Sequence, residues 1–172
     1  MQRKWSKVKK NLESFICEAL KDRVNFFVVN YKKAHDGLGR AYITVDKKEI
    51  LNMCTYIADG KQNIKYNELR FSDANYNMDN YDENRRISDE AHELLKKEGV
   101  FGQYDFFDAL EIYFSASIEQ SLNSDNMLIK IFALIDKRTG KRTLEKLKDL
   151  IKNEPELVNY FYKLRCEAEG II

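Results

Sequence analysis

The sequence predicts an α+β protein: one N-terminal helix, an antiparallel sheet of three to four strands, then a C-terminal bundle of four to five helices. Three observations predict it. Between about residues 23 and 55, β-branched and aromatic residues alternate in three short runs separated by turn signals. Beyond residue 84, apolar residues recur at three- and four-residue spacing in short segments, each opened by a capping residue. The chain has 172 residues, of which 44% are hydrophobic and 12% aromatic, enough for a single folded domain, 1–172, and too many for wholesale disorder.

Trp5, Val8, Leu12, Phe15, Ile16 and Ala19 fall at helical spacing with lysines between them, so the first helix is amphipathic, with Ser6 as its N-cap. The basic, apolar-striped start has two readings: a helix lying on a membrane surface, or one docking on the sheet that follows. The docked helix is the preferred one. From Arg23, Val24, Phe26 and Val28 point one way while Phe27, Val29 and Tyr31 point the other, which predicts a strand covered on both faces. A glycine-bearing loop leads to the strand 40–45, with Ala41, Ile43 and Val45 on one face and Tyr42 and Thr44 on the other. Asp46-Lys47-Lys48-Glu49 then reverses the chain into EILNMC, without the Asn-Gly or Asp-Gly of a strong hairpin signal. Residues 56–71 leave a short helix and a fourth strand both open. In residues 72–84 Asn and Asp fill seven of thirteen positions, so this stretch reads as a loop and the one internal boundary, separating 1–71 from 85–172.

The remainder reads as helices. Ile87, Ala91, Leu94 and Leu95 share a face that Gly99 closes. Asp105 caps the next, with Phe107, Leu110, Phe114 and Ile118 as its apolar face and Phe106 and Tyr113 beside it. Ser124 caps the segment bearing Met127, Ile131, Leu134 and Ile135, Thr143 caps the segment bearing Leu144, Leu147, Leu150 and Ile151, and Pro155 takes the first position of the last helix.

Charge and composition narrow the function classes. The 29 basic and 28 acidic residues balance to +1, which gives no global attraction for nucleic acid or anionic lipid. The longest run free of charge is Ile50–Ala58, far short of the ~20 residues of a membrane helix. No apolar stretch of secretory-signal length follows the basic start, so the expected compartment is the cytoplasm. Cys17, Cys54 and Cys166 are odd in number and widely spaced, which fits buried thiols and no disulfide framework. No zinc spacing arises when His35 and His92 are added, so neither metal nor cofactor is expected.

Several stretches together resemble a family of small, uncharacterised cytoplasmic bacterial proteins: WSKVKK, AHDGLGRAYITVDKKEILNMC, FGQYDFFDALEIY, ALIDKRTGKRTLEKL and FYKLRCEAEGI. The resemblance spans nearly the whole chain apart from residues 56–90. It implies a bacterial, cytoplasmic, single-domain protein and brings no activity, cofactor or site residue with it.

Phosphate-cradle, nucleophile-elbow and zincin motifs are lacking, and Gly37-Leu38-Gly39 leads into a strand where a phosphate loop opens a helix. The best acid–base candidate is His35 with Asp36, a loop histidine beside a carboxylate. Asp105, Asp108 and Glu111 are spaced to share a helical ridge, where paired carboxylates can share a proton, though the same residues also suit a helix N-terminus. His92 reads as an ordinary surface histidine. Residues 101–136 carry a net −5 and residues 137–148 a net +5. The basic turn, with Lys137, Arg138, Lys141 and Arg142, can grip a polyanion or pair with the acidic segment; pairing is favoured and nucleic acid is not. Because no motif assembles nucleophile, base and orienter, the leading reading is a non-catalytic binding or protein-interaction domain. The rival is an enzyme working at His35, Asp36 and the Asp105–Glu111 ridge.

Overall fold

The computed structural model describes residues 4–31, 33 and 38–172. Helix α1, Trp5–Phe15, buries Val8 and Leu12 and stops four residues earlier than its apolar spacing suggests. The reason is tertiary: the Cys17 N–H donates to Ile135 O (2.9 Å) and the Lys137 N–H to Phe15 O (2.8 Å), so Ile16 pairs as a lone bridge with Asp136. Extended backbone there is incompatible with another helical turn. The helix also begins one residue before Ser6, after Lys4, so Ser6 does not cap it.

Strands β1 (Val24–Asn30), β2 (Gly39–Val45) and β3 (Lys48–Cys54) form an antiparallel meander in that order. Pairs Val24↔Val45, Phe26↔Ile43 and Ala41↔Met53 set the register, so Val24, Phe26, Ala41, Ile43 and Met53 line the buried face. The other face is only half covered, which corrects the expectation of a strand buried on both sides: Val29 is exposed, and Phe27 stacks on Tyr42 at 4.8 Å. The β2–β3 turn is two residues long, with Asp46 and Lys47 both at positive φ (49° and 67°). This type I′ geometry normally calls for Asn-Gly. Here the Arg23 guanidinium grips both oxygens of Asp46 (2.9 and 2.8 Å), fastening the turn to β1.

Of the two readings left open for residues 56–71 the helix is the one that forms, longer than expected: α2 runs Thr55–Ser72. Polar side chains structure the loop after it: Asp73 and Asn77 accept from backbone N–H groups two residues on, and Asn80 caps α3, Tyr81–Lys97. Gly99, at φ 79°, closes α3 as predicted, with Val100 N–H bonded to Leu95 O. Then follow α4 (Gln103–Ser115), α5 (Ile118–Leu122), α6 (Met127–Ile135), α7 (Lys141–Leu147) and α8 (Glu156–Ala168). Six helices thus follow the loop, against four to five expected, because a break at Ala116–Ser117 separates α4 from α5. Asn126 is the residue that caps α6, Gly140 precedes α7, and Pro155 stands just outside α8.

The core lies where α1, the sheet, α4, α6 and α8 meet. Every α6 residue except Lys130 is buried, as a helix wrapped by neighbours requires. On α4 the buried stripe is Phe106, Ala109, Leu110 and Tyr113, one residue out of phase with the predicted face, and Ile118 belongs to α5. No helix of the described residues is long and apolar enough to cross a membrane.

Candidate functional site

The structure separates the carboxylate ridge. Asp105 is buried, whereas Asp108 and Glu111 face solvent. One Asp105 oxygen accepts from the Gly102 N–H (2.7 Å), tying down the first turn of α4. The other lies 2.7 Å from His92 Nε2 on α3. His92, expected to be an ordinary surface residue, is therefore half of a buried-carboxylate pair, and Tyr104 sets its ring edge-on beside it. No sequence signal links two residues thirteen apart on different helices. His35 and Asp36 lie outside the described residues.

Beside this pair, Gln103 fastens α4 to the sheet end: its Nε2 donates to Asn30 Oδ1 and Arg40 O (3.2 Å each), and its N–H donates to Thr55 Oγ1 (3.1 Å). Gly39 leaves the room for this, since a β-carbon there would stand 2.4 Å from Val29 O and 2.8 Å from Gln103 Nε2. These groups are occupied with one another, so the cluster joins helix to sheet. Among the described residues, no three His, Cys, Asp or Glu side chains converge as metal ligands.

The basic turn is partly committed too. Arg138 donates through Nε to Asp136 Oδ2 (2.8 Å) and lies over the Phe15 ring at 4.4 Å. Lys141 donates to Glu169 O (2.7 Å), and Glu169 also meets the buried Arg165 at 3.1 Å. Lys137 and Arg142 are exposed, with no ion pair among the described residues. The sheet's outer face carries Phe27, Tyr42 and Arg40; Arg40 lies over the Tyr42 ring (4.4 Å), and Lys9 of α1 over the Phe27 ring (4.9 Å). The two rings stack on each other, so each is engaged by its neighbour and by a cation.

Burial sets the chemistry of the thiols and phenols. It pushes the Cys17 and Cys166 thiols up, which keeps them protonated and poorly nucleophilic near neutrality. Tyr162 is pushed up to about 12, first by burial and then by Cys166. Tyr113 is raised well above the phenol range, first by burial and then by its hydrogen bond to Asp136. A group whose folded pKa is raised lends its stability fully below the unfolded value, and that stability is lost as pH climbs toward the folded one. The fold should thus lose stability above about pH 10, by about 1.4 kcal/mol per pH unit for each such buried tyrosine. Urea midpoints measured from pH 8 to 11.5 check this; a flat profile would contradict it.

What remains is the outside of α2. Only Thr55 and Ala58 of its eighteen residues are buried. Its inner side holds α3, which buries Ile87, Ala91 and Leu95, and polar contacts add to this packing: Gln62 donates to Ser88 O (3.2 Å), the Tyr66 hydroxyl to Asn84 (2.8 Å), and Lys65 meets Glu98 at 3.5 Å. Its outer side carries an apolar row between polar flanks. Ile57, Ile64 and Phe71, spaced by seven residues, are 49%, 61% and 77% exposed, and Tyr56 is 73% exposed. Six of the ten exposed large hydrophobics of the described chain lie between residues 56 and 81, Met78 and Tyr81 completing the set. Single exposed apolar residues are ordinary; a row of them on one helix marks a surface meant to be covered. The seven-residue repeat of Ile57, Ile64 and Phe71 was the signal available in the sequence. Interior-facing Tyr66 and Leu69 on the same helix blur its period.

The geometry defines an α+β protein in which a three-stranded antiparallel meander is packed on helices, with an exposed apolar row along one helix. A family model matches residues 4–166, and the chain belongs to the SF0329 protein family. No curated protein and no solved structure matches it.

Proposed function

We propose that this chain is a cytoplasmic bacterial protein that acts as a non-catalytic protein-interaction domain, with the outer face of α2 as its docking surface. One observation carries the reading: α2 packs on α3 by one side and leaves an apolar row, Ile57, Ile64 and Phe71, exposed along the other. A helix stabilised by tertiary packing normally buries its apolar stripe. Leaving Ile57, Ile64 and Phe71 in water gains the isolated chain nothing, whereas a partner covering them gains the hydrophobic term. The enzyme and polyanion readings have less support, because Asp105, Arg138 and Lys141 are each paired within the chain.

The test is binding by the variant Ile64→Glu/Phe71→Glu. Both positions are exposed, so circular dichroism and melting temperature should be nearly unchanged. A protein retained from the native cytoplasm by the wild-type chain, identified by mass spectrometry and purified, should bind the variant at least tenfold more weakly, as expected when central apolar contacts are lost. Equal binding by variant and wild type would overturn the assignment of this face.

A further inference from the structure

We infer that the occupant of this face is a second copy of the chain, docked with its α2 antiparallel about a two-fold axis beside Ile64. This rests on the interaction reading of α2, and charge decides the partner and its direction. Ile57 and Phe71 lie seven residues either side of Ile64, about 10.5 Å along the helix in each direction. A two-fold axis perpendicular to the helix at Ile64 sets each Ile57 against the partner's Phe71 and each Ile64 against the partner's Ile64. The central stripe is thereby covered along its whole length.

The flanks then select antiparallel over parallel. At about 100° per residue, Lys61 and Glu68 fall on the same flank of the stripe, while Tyr56, Asn63 and Asn67 fall on the other. An antiparallel two-fold brings like flanks together with the direction reversed. Lys61, three residues before Ile64, comes level with the partner's Glu68, four residues after it, to within about 1.5 Å along the axis. Symmetry makes the pair twice. A parallel arrangement would instead set Lys61 and Glu68 against the uncharged flank. In the single chain Lys61 is exposed and has no ion pair among the described residues, and Glu68 is exposed with Lys65 at 3.3 Å. The antiparallel arrangement also opposes the two helix dipoles. Gly60 borders the stripe on the uncharged flank, its missing β-carbon facing open space, so the helices can approach closely there. The α2 face alone is about 27 Å long and falls short of the ~800 Å² per partner of a standard interface, so dimerisation is expected to depend on concentration.

The test is sedimentation velocity on the purified full chain from low to high micromolar concentration. The expected result is a reversible monomer–dimer equilibrium that Ile64→Glu abolishes without changing the monomer's melting temperature. Lys61→Glu and Glu68→Lys should each weaken the dimer about tenfold, because every contact occurs twice and attraction becomes repulsion. The double variant should return to within about threefold of wild type. Failure of that rescue overturns the antiparallel pairing, and a monomer at all concentrations overturns self-association. A monomer whose Ile64→Glu/Phe71→Glu variant still loses an identified partner leaves the interaction reading standing. A dimer and a partner complex that both survive the variant overturn the two together.

Discussion

Replacing Asp136 by alanine is expected to cost about 3 kcal/mol or more of folding stability, at the lower end of the range for breaking a buried ion pair. The carboxylate is 1% exposed and accepts from the Tyr113 hydroxyl (2.5 Å), the Arg138 N–H (2.7 Å) and Arg138 Nε (2.8 Å). Its removal strands a buried phenol and leaves the guanidinium over Phe15 without its anion. Arg138 is about one-third exposed, so water relieves part of the penalty, which is why the lower end applies. The residue also sits in the backbone bridge that ends α1, so α1 and the α6–α7 connection should loosen together. In urea the midpoint should fall with little change in slope, and melting should drop by roughly 6–12 °C for a chain of this length. Asp136→Asn keeps one acceptor and should cost less. With Tyr113→Phe the two losses should be less than additive, since the phenol is then no longer stranded. A loss under about 1 kcal/mol for Asp136→Ala would show that this carboxylate does not hold the junction.

The second large effect is expected at Phe106, where truncation to alanine should cost about 3–5 kcal/mol. Its ring is fully buried and lies 5.8 Å from Trp5, 6.4 Å from Phe26 and 5.9 Å from Phe132, joining α1, β1, α4 and α6. Four elements surround the site, so a cavity there has little freedom to collapse. Phe107, only half-buried, is the control and should cost clearly less when truncated. Equal losses at the two positions in urea titrations would mean that α4 does not present the face described.

That pair of phenylalanines marks where the sequence stopped being legible. The reading from spacing chose Phe107, Leu110, Phe114 and Ile118, because α4 is apolar on much of its circumference and two adjacent stripes fit the helical period equally well. Only the packing of α4 on α1, the sheet and α6 selects Phe106 and Tyr113. The thirteen-residue separation of His92 from Asp105 and the bond from Lys137 back to Phe15 are likewise invisible locally.

By itself the sequence determined what local chemistry controls: a three-strand meander from alternation, the polar loop after residue 72, the Gly99 stop and an α+β order of elements. Tertiary structure alone decided which face of each element is covered. It ended α1 early by pairing its tail with residues 135–137, left the outer side of the sheet half open, and left the row Ile57, Ile64 and Phe71 of α2 in solvent. Backbone periodicity sets which residues share a face, but only the neighbouring elements set whether that face meets protein or water.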